Sequence, residues 1–174
     1  MAPAQASLLA KLDTQERVRD FLTNAIASGR ASHAYLFLGA PGAGKLDAAW
    51  ALAQAFLCEQ DGCGSCDSCV RVARHTHPDV HYYTPESATG YLIAQTRELL
   101  DDVPLAPIRA KAKVYIIDRA EQLRANTANA LLKTLEEPPE GVMFILLGTS
   151  ADVMLPTICL LYTSPSPRDG LLSR

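Results

Sequence analysis

Two groups of residues in this 174-residue chain have the types and spacing to do chemistry. The first is the stretch GAPGAGKLDAAW, in which Gly39, Gly44 and Lys45 meet the spacing G-x-x-x-x-G-K of a phosphate-binding loop. Such a loop turns backbone N–H groups inward around a β-phosphate at a helix N-terminus. Gly42 and Gly44 permit the tight backbone, and Lys45 can reach the β- and γ-phosphates. The following position normally carries a hydroxyl that holds Mg²⁺. Here it is Leu46, which has no oxygen to offer. The stretch VYIIDRAEQL supplies the second half of such a site in outline: an apolar run leads to Asp118, an acid able to hold the metal through water. The hydrolytic base should follow directly as Glu, and that position is Arg119. Glu121, two residues on, points elsewhere on any regular backbone. Losing a metal ligand and a base each costs orders of magnitude in rate, so hydrolysis is not expected. Nucleotide binding stays open, because a plain glycine turn and a helix-capping Asp118 account for the same residues.

The second group is Cys58, Cys63, Cys66 and Cys69, spaced C-x4-C-x2-C-x2-C. Two C-x2-C hooks sharing a residue bring thiolates together, and four of them suit tetrahedral Zn²⁺ at about 2.3 Å. With four protein ligands there is no open position, so the predicted role is structural. A redox pair or free thiols are the alternatives, and an iron–sulfur cluster is a further one. His75, His77 and His81 are surplus to the ligand set and read as solvent-facing or packing histidines.

These residues need a scaffold, and the pattern around them predicts one. Leu8, Leu9, Leu12, Val18, Phe21, Leu22 and Ile26 recur at helical spacing, which predicts a helix over 7–28. HAYLFLG reads as a buried strand entering the glycine turn, and Ala48 to Phe56 as a helix of small residues. The cysteine-rich segment reads as a loop. DVHYYTP, AKVYIID and VMFILLGTS read as further strands, with helices over Leu92–Val103 and through ANTANALLKTLEEPPEG. Strands alternating with helices, and strands that are continuously apolar, predict an α/β fold with a parallel sheet covered on both faces.

Composition bounds the function. The formal charge of −3 gives no global field for nucleic acid or an anionic membrane. No apolar run approaches a membrane span, and no secretory signal is visible, so a cytoplasmic protein with reduced thiols is expected. The last residues, CLLYTSPSPRDGLLSR, break the pattern. Cys159 to Asp169 can be written as the translation of a transposase adaptor used to make sequencing libraries. The expected organisation is therefore one domain over 1–158 with a zinc loop at 58–69, and a foreign, unstructured stretch over 159–174.

Taken together, HAYLFLGAPGAGK, the cysteine loop that follows it and ANTANALLKTLEEPPEGVMFILLGTS resemble the bacterial clamp-loader family of AAA+ ATPases. NALLKTLEEPP is the most specific part. The resemblance implies a P-loop NTPase, AAA+-like three-layer fold with an inserted zinc-binding loop. It implies a place in the DNA polymerase III holoenzyme, a DNA-directed DNA polymerase and nucleotidyltransferase, in a ring that loads the sliding clamp on primed DNA. It adds Thr149, near the family's first sensor position, to Gly39, Gly42, Gly44, Lys45 and Asp118 as residues of a degenerate nucleotide site with no catalytic residue. Lys45-Leu46 and Asp118-Arg119 depart from the pattern of the motor subunits, so the non-hydrolysing branch is favoured over an ATP-hydrolysing motor. The implied partners are motor (gamma/tau) and delta subunits, with the sliding clamp and primer-template DNA met through the complex. The family's arginine finger follows the last strand. Here the foreign stretch begins in its place, and Arg168 and Arg174 are not equivalents.

Overall fold

A computed structural model describes residues 7–12 and 15–150, and the backbone of 171–173. The apolar runs form strands β1 (Ala34–Leu38), β2 (Val80–Tyr83), β3 (Lys113–Ile117) and β4 (Val142–Gly148). They lie in the order β2-β3-β4-β1 and pair in parallel, Ala34 opposite Phe144 and Ile117 opposite Leu146. Parallel neighbours need crossover connections. Those contain helices α2 (Lys45–Leu57), α3 (Asp67–Ala73), α4 (Ile93–Asp102) and α5 (Ala125–Glu136), while α1 (Glu16–Ala27) precedes β1.

Alternate strand residues face opposite ways and both faces are covered, which is why these strands are largely apolar, with His81 of β2 and Lys113 of β3 as the ionisable exceptions. On one face Tyr35, Phe37, Val114, Ile116, Met143 and Ile145 pack against α2 and against Leu22 and Ile26 of α1. On the other, Leu36, Tyr115, Ile117, Phe144 and Leu146 meet Leu99 of α4 and Leu131 and Leu135 of α5. This is the expected three-layer α/β fold. The buried Ala48, Ala49, Ala51, Ala53 and Ala55 are small, so α2 can lie close on the sheet. Its first turn is thereby held at the carboxyl ends of β1, β3 and β4, where ligands of open α/β sheets bind.

Three expectations change. The stretch 7–28 is not one helix: a 3-10 turn over Leu9–Lys11 precedes α1, and Gln15 at the start of α1 has the non-helical angles φ −134°, ψ 56°. The leucine periodicity is real, because Leu9, Leu12 and Leu22 are all buried, but two separate elements supply it. Phe21 is exposed. The cysteine segment is not wholly loop, since its end forms α3. There Cys66 Sγ caps the helix by accepting the Cys69 N–H, and Asp67 pairs with Arg71 one turn on at 2.8 Å. Finally, Leu171–Ser173, expected to lack regular structure, forms a short strand β5 antiparallel to β1. The side of β1 away from β4 presents unpaired N–H and C=O groups, which any extended segment can meet. The rest of 151–174 lies outside the described residues, including Arg168 and Arg174.

One buried acid fixes the connection from α4 to β3. The Asp79 carboxylate accepts the N–H groups of Ile108, of Arg109 at 2.8 Å and of Ala110 at 2.8 Å. Burial alone would raise its pKa, but the three amide donors hold it below the usual carboxylate value. A depressed acid contributes stability that is full above the unfolded pKa, about 3.9, and is lost as pH falls through the folded value. Unfolding free energy is therefore expected to drop below about pH 4. Asp79→Asn should cost about 2–3 kcal/mol at neutral pH and flatten that acid slope. Urea titrations of both proteins across pH 2–7 check it, and an unchanged slope would refute the assignment.

Candidate functional site

The phosphate-loop residues line one cleft. Gly42 and Gly44 adopt left-handed φ values of 78° and 76°, which let the loop turn into α2. The Gly39 N–H donates to the Gly148 carbonyl at 3.2 Å and ties the loop to the end of β4. Lys45 Nζ donates to the carbonyls of Gly39 and Ala40, the latter at 2.9 Å, so the cation lies against its own loop. Around them is a cleft of about 570 Å³, lined among others by Gly44, Lys45, Leu46, Asp118, Arg119 and Thr149. Five of the six sequence-selected nucleotide residues, Gly42, Gly44, Lys45, Asp118 and Thr149, line this cleft, whereas Gly39 is not in its lining and is joined to it through Gly148.

Asp118 is already engaged. Its Oδ2 accepts from Tyr82 Oη at 3.2 Å and its Oδ1 from the Arg119 N–H at 2.9 Å. Arg119 Nε stands 4.0 Å from Oδ2, while its Nη2 donates to Thr84 Oγ1 at 2.9 Å. Burial, and then the Asp118 charge, push the Tyr82 phenol's pKa up. Leu46 lines the cleft where a hydroxyl would serve a metal, so the donor set does not fit an octahedral Mg²⁺ held by the protein in the usual way.

Glu121 corrects a sequence expectation. The backbone there is not regular: Arg119 is left-handed at φ 46° and Ala120–Gln122 form a 3-10 turn. Glu121 is thereby turned into the cleft lining, and its Oε2 is shielded with no hydrogen-bond partner among the described residues. Nothing in the sequence marks this, nor the part played by Tyr82, because one depends on the bend at Arg119 and the other on the pairing of β2 with β3, and tertiary packing selects both. Tyr91 Oη lies 2.9 Å from the Tyr83 carbonyl and 2.5 Å from that of Asp118, and so braces the bend.

The four cysteines converge at the far end of α2. Their Sγ atoms lie within 4.8 Å of one another, with separations of 3.7 Å (58–63), 3.8 Å (58–66) and 4.0 Å (63–69). A tetrahedron with metal–sulfur bonds of about 2.3 Å has edges of about 3.8 Å, so the four thiols could hold a metal ion such as zinc. Backbone N–H groups of Gln60 and Cys63 point at Cys58 Sγ, that of Cys66 at Cys63 Sγ and that of Cys69 at Cys66 Sγ. Donors aimed at sulfur favour thiolate. Hydrogen bonds, first from Ser65, lower the Cys63 pKa to about 6, whereas burial raises those of Cys66 and Cys69. The histidines stand apart, as expected. His75 stacks on Trp50 with centroids 4.0 Å apart, and His81 on Tyr115 at 5.0 Å. Buried His77 accepts the Asp79 N–H at Nδ1.

The family described as "DNA polymerase III, delta subunit" matches residues 14–160. The chain belongs to the clamp-loader subunit family of DNA polymerase III. As a clamp-loader-family chain, it is 41% identical over 149 residues to the DNA polymerase III subunit delta' of Bacillus subtilis (strain 168), covering 84% of this chain and 45% of that protein. It is also 42% identical over 148 residues to subunit tau of Escherichia coli (strain K12), covering 83% of this chain and 23% of that protein. The chain thus spans less than half the length of these relatives. A DNA polymerase III gamma subunit-related protein from Thermotoga maritima superposes with a TM-score of 0.57 at 21% identity, over 81% of this chain and 42% of that one. That likeness shows the fold, the three-layer α/β fold of a P-loop NTPase. No helix among the described residues is long and apolar enough to cross a membrane.

Proposed function

We propose that this clamp-loader subunit is of the delta-prime type: a non-hydrolysing member of the ring that loads the sliding clamp during DNA replication. One observation carries the reading. The cleft keeps a well-formed phosphate loop and Lys45 but presents Leu46 to the metal position and Arg119 to the base position. On this reading the chain scaffolds the ring beside motor (gamma/tau) and delta subunits in the cytoplasm, and meets the clamp and primer-template DNA through them. The cleft residues Gly39, Gly42, Gly44, Lys45, Asp118 and Thr149 then hold nucleotide weakly or not at all. Purified chain with ATP and Mg²⁺ should release phosphate at background rate. Turnover at the rate of a gamma/tau preparation assayed alongside would overturn the reading and favour a motor. The motor reading has one observation of its own, the turn that brings Glu121 to the cleft wall.

The four-cysteine centre is read as structural zinc. One zinc per chain is expected by metal analysis, and chelation should loosen residues 58–69 while the sheet stays formed. Protein without zinc, and with all five thiols of the chain titrating freely, Cys159 included, would refute this.

A further inference from the structure

The cysteine centre and the phosphate loop sit at opposite ends of α2, with Cys58 closing the helix and Gly44 opening it. Between them Gln54 is 1% exposed, and its amide is used on both sides. Its Oε1 accepts the Leu8 N–H at 2.8 Å, and its Nε2 donates to the Cys69 carbonyl at 3.0 Å. Leu8, Leu12 and Gln15 form one wall of a second cleft of about 200 Å³, whose other wall includes Gly44, Trp50 and His75. Gln15 Nε2 also donates to the Ala43 carbonyl in the phosphate loop. The cysteine loop also runs close to the same stretch. Gly62 is left-handed at φ 92°, and a Cβ there would lie 3.3 Å from Ala55 Cα and 3.4 Å from Ser7 Oγ.

We propose that the metal-loaded cysteine centre holds the N-terminal stretch 7–12 in place through Gln54, so that metal occupancy sets the wall beside the phosphate loop. The stretch has little hold of its own, since a single 3-10 turn over Leu9–Lys11 does not persist without tertiary contacts. Cys69 is both a member of the sulfur cluster and the residue whose carbonyl Gln54 grips. When the sulfur is fixed, so is the carbonyl, and the buried amide then has a defined orientation in which to accept from Leu8. When the sulfur is free, α3 can shift and Gln54 loses the partner that aligns it. An amide buried with one end unsatisfied is costly, so the pair of bonds should be kept or lost together. The inference rests on the four cysteines being metal ligands. It does not depend on whether the cleft hydrolyses ATP.

Amide hydrogen exchange on the whole chain tests it, with the Leu8 amide as the reporter. Chelation is expected to speed exchange at 7–12 at least tenfold, together with 58–73, while β3 and β4 keep their protection. Gln54→Met keeps the volume and removes both bonds. In that variant 7–12 should exchange fast even when metal-loaded and respond less than twofold to chelation, with the cobalt absorption spectrum of the thiolate site unchanged. If Gln54→Met does not fold, the Leu8 comparison in the unaltered chain still decides. Chelation that frees 58–73 but leaves Leu8 protected would overturn the proposal, as would exchange spreading to β3 and β4. Absence of any cobalt–thiolate band would overturn this proposal and the metal reading together. A normal band with an unresponsive Leu8 would overturn this proposal alone.

Discussion

Cys69→Ser is expected to weaken zinc binding by two to three orders of magnitude. Structural zinc sites in small peptides bind with roughly 10–16 kcal/mol, so one ligand in four carries about 3–4 kcal/mol, a factor on the order of 10²–10³. Cys69 is the best position at which to see this loss cleanly. It is fully buried at the first turn of α3, and its N–H donates to Cys66 Sγ at 3.4 Å. Serine is close in size, so the helix keeps its shape while the soft donor goes. Ser65→Ala is the contrasting change: it removes only a hydroxyl 3.5 Å from Cys63 Sγ and should cost tenfold or so. Competition against a chromophoric chelator measures both variants. Equal affinity of Cys69→Ser and the unaltered chain would show that the sulfur is not a ligand. The three-cysteine remainder would then need another explanation for its convergence.

Much of this site was legible in the residue types alone, and the part that was not has a physical reason. G-x-x-x-x-G-K and C-x4-C-x2-C-x2-C are local motifs, with their geometry set by a few neighbouring backbone angles, so spacing suffices to predict them. Gly42 and Gly44 sit left-handed where the loop requires it. The strands are equally plain, because burial on both faces leaves few polar residues in a β run, His81 and Lys113 being the ionisable ones here. Leucine spacing predicts one helix over 7–28 where two elements stand, because that spacing registers burial and a 3-10 turn can present leucines to the core as well as a helix does. α3 has no plain signal in the sequence, because cysteine and glycine read as loop formers and the cap that starts α3 is a thiol, Cys66, outside the usual set of Ser, Thr, Asp and Asn. Glu121, Tyr82 and Gln54 carry no local signal. Glu121 depends on one left-handed arginine, Tyr82 on a strand three places away in the sheet from the one that leads into the loop, and Gln54 on two partners 46 and 15 residues distant. Long-range placement of this kind is a property of packing, which spacing along one chain does not encode.

Restoring the missing chemistry should require two changes with separable effects. In Leu46→Thr the new hydroxyl stands at the start of α2, facing the cleft that Asp118 also lines. Magnesium should then strengthen ATP binding tenfold or more, where in the unaltered chain it makes no difference. Turnover should remain at background, because Arg119 still occupies the base position and its N–H, with the Tyr82 hydroxyl, still engages Asp118. Adding Arg119→Glu removes a cation from beside Asp118 and supplies a carboxylate for the attacking water. A positioned general base is worth about 10²–10⁴ in rate, so the double variant should exceed the single one by that order. Glu121 decides how the gain is read. It already lines the cleft with an oxygen that has no partner among the described residues, so Leu46→Thr/Glu121→Gln serves as the control. Calorimetric titration with ATP, with and without EDTA, gives the metal dependence, and phosphate release gives turnover. If Leu46→Thr alone hydrolyses ATP, and Glu121→Gln abolishes that activity, then Glu121 is the base. In that case the cleft lacks only its metal ligand, and this chain stands one substitution from a motor.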